Sequence, residues 1–273
     1  MSELLDRDKI LSALQDATRA QLQSLTVAVE TTSTQADALA APVPPQGCAV
    51  FLAEQQSAGQ GRHGRTWTSP PAANLYLSLS RRFPHEPARL SGLSLITGIA
   101  TAEALNTATC GSGFSRDSSP PITLKWPNDL LANNKKLAGI LTQLRIAADG
   151  ATDAIIGIGI NVRMPAEAAQ RIDQPWCDLS QLGCTDLSRN ALTALLLDHL
   201  LPALEQFERE GLSHFLPRWR QLDAFAGKPV RILDGPRVHE GIALGITDSG
   251  ALRVRQGEQE RVFHSGEVSL RSA

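Results

Sequence analysis

The chain has 273 residues, 42% hydrophobic and 20% charged, proportions that fit a folded globular protein and exclude a disordered or fibrous one. Its length suits one large unit and one small one, because a single core stops growing near ~250 residues. Lys and Arg number 26 against 28 Asp and Glu, a net charge of -2, so any site for an anion must be built locally.

Residues 1–25 scatter Glu3, Asp6, Arg7, Asp8, Lys9 and Asp16 among leucines, unlike the apolar core of a signal peptide. No run approaches a membrane span. Leu4, Leu5, Ile10, Leu11, Leu14, Ala17 and Leu22 approximate helical spacing and predict one or two short helices. That segment is too short and too little basic for a helix-turn-helix, so no specific DNA binding is expected. Cys48, Cys110, Cys177 and Cys184 show no paired spacing and the six histidines are dispersed. Reduced thiols in a cytoplasmic protein are therefore expected, not a structural zinc site.

Residues 26–30 read as a strand, residues 34–39 as a helix behind a Ser/Thr cap, and residues 48–53 as a second strand. A polar, Gly-rich loop follows over residues 54–71. Over residues 74–80, Leu75, Leu77 and Leu79 alternate with Tyr76 and Ser78, the period of a strand with two unlike faces. Residues 90–105 predict a buried helix and residues 110–121 a surface loop. Three strands are expected at 122–126, 136–146 and 154–162, giving an α+β order with strands in one sheet and helices on its face. Residues 187–210 form the longest helical run, stopped by Gly211 and kinked by Pro202. Beyond Trp219, five short strands separated by turn residues predict a small barrel.

Four stretches carry chemistry. In Gly59-Gln60-Gly61-Arg62-His63-Gly64-Arg65-Thr66-Trp67, glycines let the backbone approach a ligand and arginines supply forked donors for phosphate or carboxylate. A plain surface turn with incidental cations would look the same. Lys125-Trp126-Pro127-Asn128-Asp129 could hold a nucleotide and magnesium, with Asp129 on the metal side, or be a strand-ending turn. Lys136 opens the apolar run Lys136-Leu137-Ala138-Gly139-Ile140 and is either a solvated edge residue or a cation aimed into a site. Gly157 and Gly159 sit in a strand that they weaken unless the room is needed beside a ligand.

In this order and spacing, GxGRxGRxW, KWPND, KLAGI and GIGINV resemble the biotin protein ligases from about Val27 to the C-terminus, and the tail GEVSLRSA resembles the end of the enterobacterial repressor-and-ligase type. The resemblance implies a mixed sheet with helices on one face, class II synthetase-like, plus a small C-terminal SH3-like β-barrel. The expected division is a helical segment at 1–24, a catalytic domain at 25–223 and the barrel at 224–273. It implies ATP and magnesium as requirements, biotin as substrate, the biotin carboxyl carrier protein of acetyl-CoA carboxylase as partner, and no membrane partner; a homodimer is allowed.

By resemblance, Ser33, Thr34, Gln35, Gln56, Gln60, Gly61, Arg62 and Lys136 would bind biotin, and Arg65, Asn128, Asp129 and Trp176 would bind ATP. Lys136 and Arg62 would be catalytic, and Asp129 the magnesium ligand. Residues 166–176 would be a loop that orders on nucleotide, with Trp176 against adenine, and Arg271 would approach the phosphates. Three positions depart from the family: Gln35 stands where it has asparagine, and Gln60 and His63 stand where it commonly has arginine. Two alternatives remain open, a lipoate ligase or octanoyltransferase of the same superfamily and a bifunctional biotin-responsive repressor.

Overall fold

A computed structural model describes residues 3–109 and 122–264, and the backbone of 268–272. The expected surface loop with Cys110, and the Arg271 side chain, lie outside the described residues. The two short helices are present as α1 (Arg7–Ala13) and α2 (Asp16–Gln21). Asp6 caps α1 by accepting from the amides of Asp8 and Lys9, as a short oxygen-bearing side chain at that position does.

Seven strands form one mixed sheet in the order β1-β2-β3-β7-β6-β5-β4. They are β1 (Leu22–Thr31), β2 (Cys48–Gln56), β3 (Leu75–Phe83), β4 (Ile122–Lys125), β5 (Asp129–Ala132), β6 (Lys135–Ile146) and β7 (Thr152–Ile160). β1 and β2 run parallel, with α3 (Thr34–Ala40) as their crossover, and every other pair is antiparallel. One strand more than expected follows residue 122: Asp129 is not the end of a turn but the first residue of β5, which returns on β4 with Lys125 opposite Asp129.

The two faces of the sheet differ. Leu77, Leu79, Ile140, Ile156 and Ile158 are all buried and point to the side covered by α4 (Leu93–Thr109) and α6 (Arg189–Glu210). Close packing there is visible at Gly98 of α4, where an added Cβ would lie 3.2 Å from Leu124 and 3.5 Å from Ile140. The opposite face carries α3 and the residues of opposite parity, Tyr76 and Ser78 on β3, Gly157 and Gly159 on β7, and Gly139 and Leu141 on β6. Tyr76 and Ser78, on this second face, are buried as well, because α3 and the Gly-Arg loop cover it.

α6 starts at Ser188, whose hydroxyl accepts from Ala191, runs unbroken through Pro202 and stops at Gly211 with φ +73°, the left-handed exit that glycine takes without steric cost. Its first turn clamps the N-terminal segment. Arg189 pairs with Glu54 at 2.8 Å and donates to the Glu3 carbonyl at 2.6 Å. Asn190 donates to the Leu4 carbonyl and accepts from the Asp6 amide, while the Leu5 amide donates to Glu54.

After α7 (Leu216–Leu222), the five expected strands appear as β8 (Pro229–Asp234), β9 (Arg237–Ile246), β10 (Leu252–Gln256), β11 (Gln259–Phe263) and β12 (Val268–Ser272). They form one antiparallel sheet ordered β11-β10-β9-β8-β12. This unit docks behind the KWPND segment, where the Trp126 indole, buried, donates to the Gly250 carbonyl at 3.1 Å. No described helix is long and apolar enough to cross a membrane.

Cys48 and Cys177 are buried, and burial pushes their thiols up to about 12 and about 11 respectively. Only the thiolate is nucleophilic, and at pH 8 fewer than about one such group in a thousand is ionised. Native protein treated with iodoacetamide at pH 8 is expected to leave both unmodified by peptide mass mapping, with full alkylation in denaturant; rapid native modification of Cys48 would contradict its burial.

Candidate active site

The Gly-Arg loop is a short hairpin. Gln60 bridges Thr66, the Gly61 amide donates to the Arg65 carbonyl at 2.7 Å, and the Trp67 amide donates to the Gly59 carbonyl at 2.9 Å. Its tip turns through His63 (φ +57°) and Gly64 (φ +71°). A tip with two successive left-handed residues points Arg62 back over the sheet, while His63 and Arg65 stay exposed. Arg62 donates to the Asn128 side-chain carbonyl at 2.9 Å, which ties the hairpin to the KWPND turn. Burial pushes the Arg62 guanidinium below its ordinary value, and nearby Asp129 pulls the other way.

Under the hairpin lies a narrow trough of about 60 Å³. Gly139 and Gly159 are register partners on β6 and β7, and the Trp67 indole lies on them: a Cβ at Gly159 would come 2.5 Å from the ring, and one at Gly139 3.1 Å. The glycines expected to border a ligand thus make room first for this chain's own side chains, since at Gly157 the space is taken by the Gln35 amide, 2.6 Å from where a Cβ would stand. The Trp67 indole N–H is buried without an acceptor among the described residues, an uncommon state for a polar group.

The far end of the trough is polar. Ser33 caps α3 by accepting from the Gln35 amide at 3.2 Å, so the helix start fixes Thr34 and Gln35 beside β3. The Thr34 amide donates to the Gln56 side-chain oxygen at 2.9 Å, and the Thr34 and Ser78 hydroxyls lie 2.9 Å apart. Gln56 donates onward to Ser69 at 2.8 Å.

The near end is cationic. The Lys136 ammonium sits 2.8 Å from Asp129 and 5.5 Å from the Trp67 ring centre, with Lys125 4.0 Å from the same carboxylate. Asp129 therefore faces two ammonium groups. A carboxylate so engaged is a poor host for a cation by itself, and magnesium there would also need the phosphate oxygens of a nucleotide.

Beyond Lys136 opens a larger cavity of about 690 Å³, lined by Arg62, Arg65, Lys125, Asn128, Arg171 and Trp176, among others. Residues 170–176 are stapled to the start of β6 by the Lys136 amide donating to Pro175 and the Cys177 amide donating to the Lys136 carbonyl. Gly61, Arg62, Trp67, Asn128 and Lys136 line both spaces, and they form the partition between them.

Arg271 apart, whose side chain lies outside the described residues, the structure brings together the expected site residues: Ser33, Thr34, Gln35, Gln56, Gln60, Gly61, Arg62 and Lys136 at the trough, and Arg65, Asn128, Asp129 and Trp176 at the larger cavity. Within the KWPND run, Trp126 borders the larger cavity while its indole N–H is engaged by the C-terminal unit. Trp67, Tyr76, Ser78 and Arg171 also line the site and had been given no role; only Trp67 stood in a motif.

Residues 27–161 match the Biotin/lipoate A/B protein ligase family, and residues 225–271 match the Biotin protein ligase C terminal domain. The chain is 42% identical over 222 residues to the Bifunctional ligase/repressor BirA of Escherichia coli, covering 81% of this chain and 66% of that protein, just under two thirds of its length. It is 32% identical over 279 residues to the biotin--[acetyl-CoA-carboxylase] ligase of Mycobacterium tuberculosis, covering 97% of this chain and 98% of that one. The solved biotin protein ligase from Aquifex aeolicus in complex with biotin and ATP shares its fold with a TM-score of 0.75 at 27% identity, over 92% of this chain and 100% of that chain.

Proposed function

This chain belongs to the biotin/lipoate A/B protein ligase family, and from that membership we propose that it activates biotin with ATP to biotinyl-5'-AMP and transfers the biotinyl group to a lysine of the biotin carboxyl carrier protein of acetyl-CoA carboxylase. The observation that carries this reading is the partition. Arg62 and Lys136 stand between a narrow trough with a polar end and a wider cavity edged by cations. A carboxylate entering from one side and a triphosphate from the other would meet there.

Biotin lies in the trough with its ring system toward Thr34, Gln35 and Ser78 and its carboxylate at Lys136. The nucleotide takes the larger cavity, with the adenine near Trp176 and the phosphates toward Arg65, Lys125 and Asn128; magnesium comes to the site with the nucleotide. The carboxylate oxygen attacks the α-phosphorus, the bond to the bridging oxygen breaks and pyrophosphate leaves. The amine of the carrier lysine then attacks the acyl carbonyl, AMP leaves with the bonding pair, and the nitrogen loses its proton. No nucleophile from the enzyme is required. Negative charge gathers on phosphate oxygens, and fixed cations already in place stabilise it without reorganisation.

The two separate sheets support a division at about residue 224, with the catalytic chemistry on the first. The described N-terminal residues, held by the first turn of α6, act on this reading as part of the catalytic domain's packing and not as a reader of DNA, and the protein works in the reducing cytoplasm. The test is to incubate the protein with ATP, magnesium, a carrier domain and either biotin or lipoate, and to weigh the carrier. Growth of the carrier by one biotinyl group, and none with lipoate, is expected; modification by lipoate alone would assign the chain to the other branch of the family.

A further inference from the structure

Gln35 is one methylene longer than the residue that the resemblance leads one to expect, and its amide is held by atoms outside the trough. Its Nε2 donates to the Gln143 side-chain oxygen at 2.8 Å and, more distantly, to the Ile155 carbonyl at 3.4 Å. Its Oε1 accepts from the Ser78 hydroxyl at 3.1 Å and is the atom that lies over Gly157. Both Nε2 hydrogens are therefore engaged away from the trough. The carbonyl oxygen keeps a second lone pair and is the face that Gln35 presents inward.

A primary amide is nearly symmetric in shape, so its orientation is decided by its partners. The carbonyl of Ile155 only accepts, so even at 3.4 Å it decides which end of the amide faces the strand, a choice that Gln143, able to donate or accept, does not make by itself. Gln143 makes the short bond. It stands on β6 opposite Ile155, in the half of the strand beyond the β5 pairing, and its own side chain is exposed. It sits two residues beyond Leu141 and four beyond Gly139 on the same face, roughly 13 Å from Gly139 along the strand. That places it past the end of the trough, where it touches Gln35 without lining the cavity.

We infer that Gln143 is a positioning residue that holds the Gln35 amide in the orientation set by the Ile155 carbonyl, with its oxygen facing the trough, so that this end of the site selects a head group bearing N–H donors. This rests on the proposed function. The cyclic urea of biotin offers two such donors, whereas a dithiolane ring offers none. A buried acceptor left without a donor costs free energy, so the same orientation that favours a urea disfavours a ring without N–H. The longer side chain of Gln35 matters because it reaches Gln143, and Gly157 matters because any side chain there would displace the amide.

The test is a pair of opposite substitutions at Gln143, made alone and with Gln35→Asn, with steady-state biotin-dependent pyrophosphate exchange as readout. Gln143→Glu keeps an acceptor facing Nε2 and should leave the KM for biotin within about threefold of the parent. Gln143→Lys presents only donors, turns the amide over and should raise the KM for biotin by roughly tenfold or more, with the KM for ATP and kcat within about threefold. With Gln35→Asn, too short to reach Gln143, the lysine should add no further effect, the non-additivity expected of residues that act through one contact. Equal effects of Glu and Lys, or an effect of Lys that persists with Gln35→Asn, would overturn the inference while leaving biotin activation standing. A parent protein with no biotin-dependent exchange would remove the functional reading, and this inference with it.

Discussion

Replacing Lys136 with alanine is expected to reduce biotin-dependent pyrophosphate exchange by about 10²- to 10³-fold, the usual loss when one fixed donor to developing negative charge is removed. Its ammonium is the cation held most directly at the partition, 2.8 Å from Asp129 and facing the Trp67 ring, and it borders both the trough and the larger cavity. Substitution should leave the fold intact, because Asp129 retains Lys125 as a partner and Lys136 is not part of the apolar core. Arginine should rescue poorly. Its planar fork cannot occupy the volume of a compact ammonium beside the Trp67 ring and still meet two ligands at one point. If the alanine variant exchanged pyrophosphate at close to the parent rate, Lys136 would be a counter-charge for Asp129 and nothing more.

The elements that could be read from local pattern are those whose covering is simple. α6 shows an apolar stripe, a serine before it and a glycine after it, and each signal corresponds to a contact within a few residues. β3 shows why pattern fails near the site. Its alternation of Leu75, Leu77 and Leu79 with Tyr76 and Ser78 is real, but the second face is covered by α3 and by a hairpin from elsewhere in the chain, so polar residues are buried there in order to bond. β5 was missed for a related reason, since Asp129 belongs to a motif that reads as a turn and its pairing with Lys125 is closed by a bend of only three residues. For Gly157 and Gly159 the sequence indicates room beside a site, but not which side chains of this chain fill it. Their occupants, Gln35 and Trp67, are brought over them by sheet topology, and nothing near either glycine in the chain announces them.

Changing Arg62 to glycine should act on retention more than on chemistry. The hairpin over the trough is pinned to the KWPND turn through the 2.9 Å bond from Arg62 to Asn128, while its tip at His63 and Gly64 relies on backbone bonds of its own. Loss of a hydrogen bond to a charged donor costs about 1.5–3 kcal/mol, enough to open the closed form roughly 10- to 100-fold more often. The acyl-adenylate is a mixed anhydride that reacts with any amine it meets, so a site that opens before the carrier docks lets it escape. The variant is therefore expected to form biotinyl-adenylate at a measurable rate, to release it quickly, and to label lysines of bystander proteins added to the reaction. Asn128→Ala removes the other half of the same bond without removing a cation from the site, and should produce the same indiscriminate labelling with a smaller loss in adenylation. Mass spectrometry of a mixture of carrier domain and an unrelated protein reads both. Labelling confined to the carrier in both variants would mean that the hairpin is held shut by something other than this bond, and that Arg62 acts only as a charge at the reacting phosphorus.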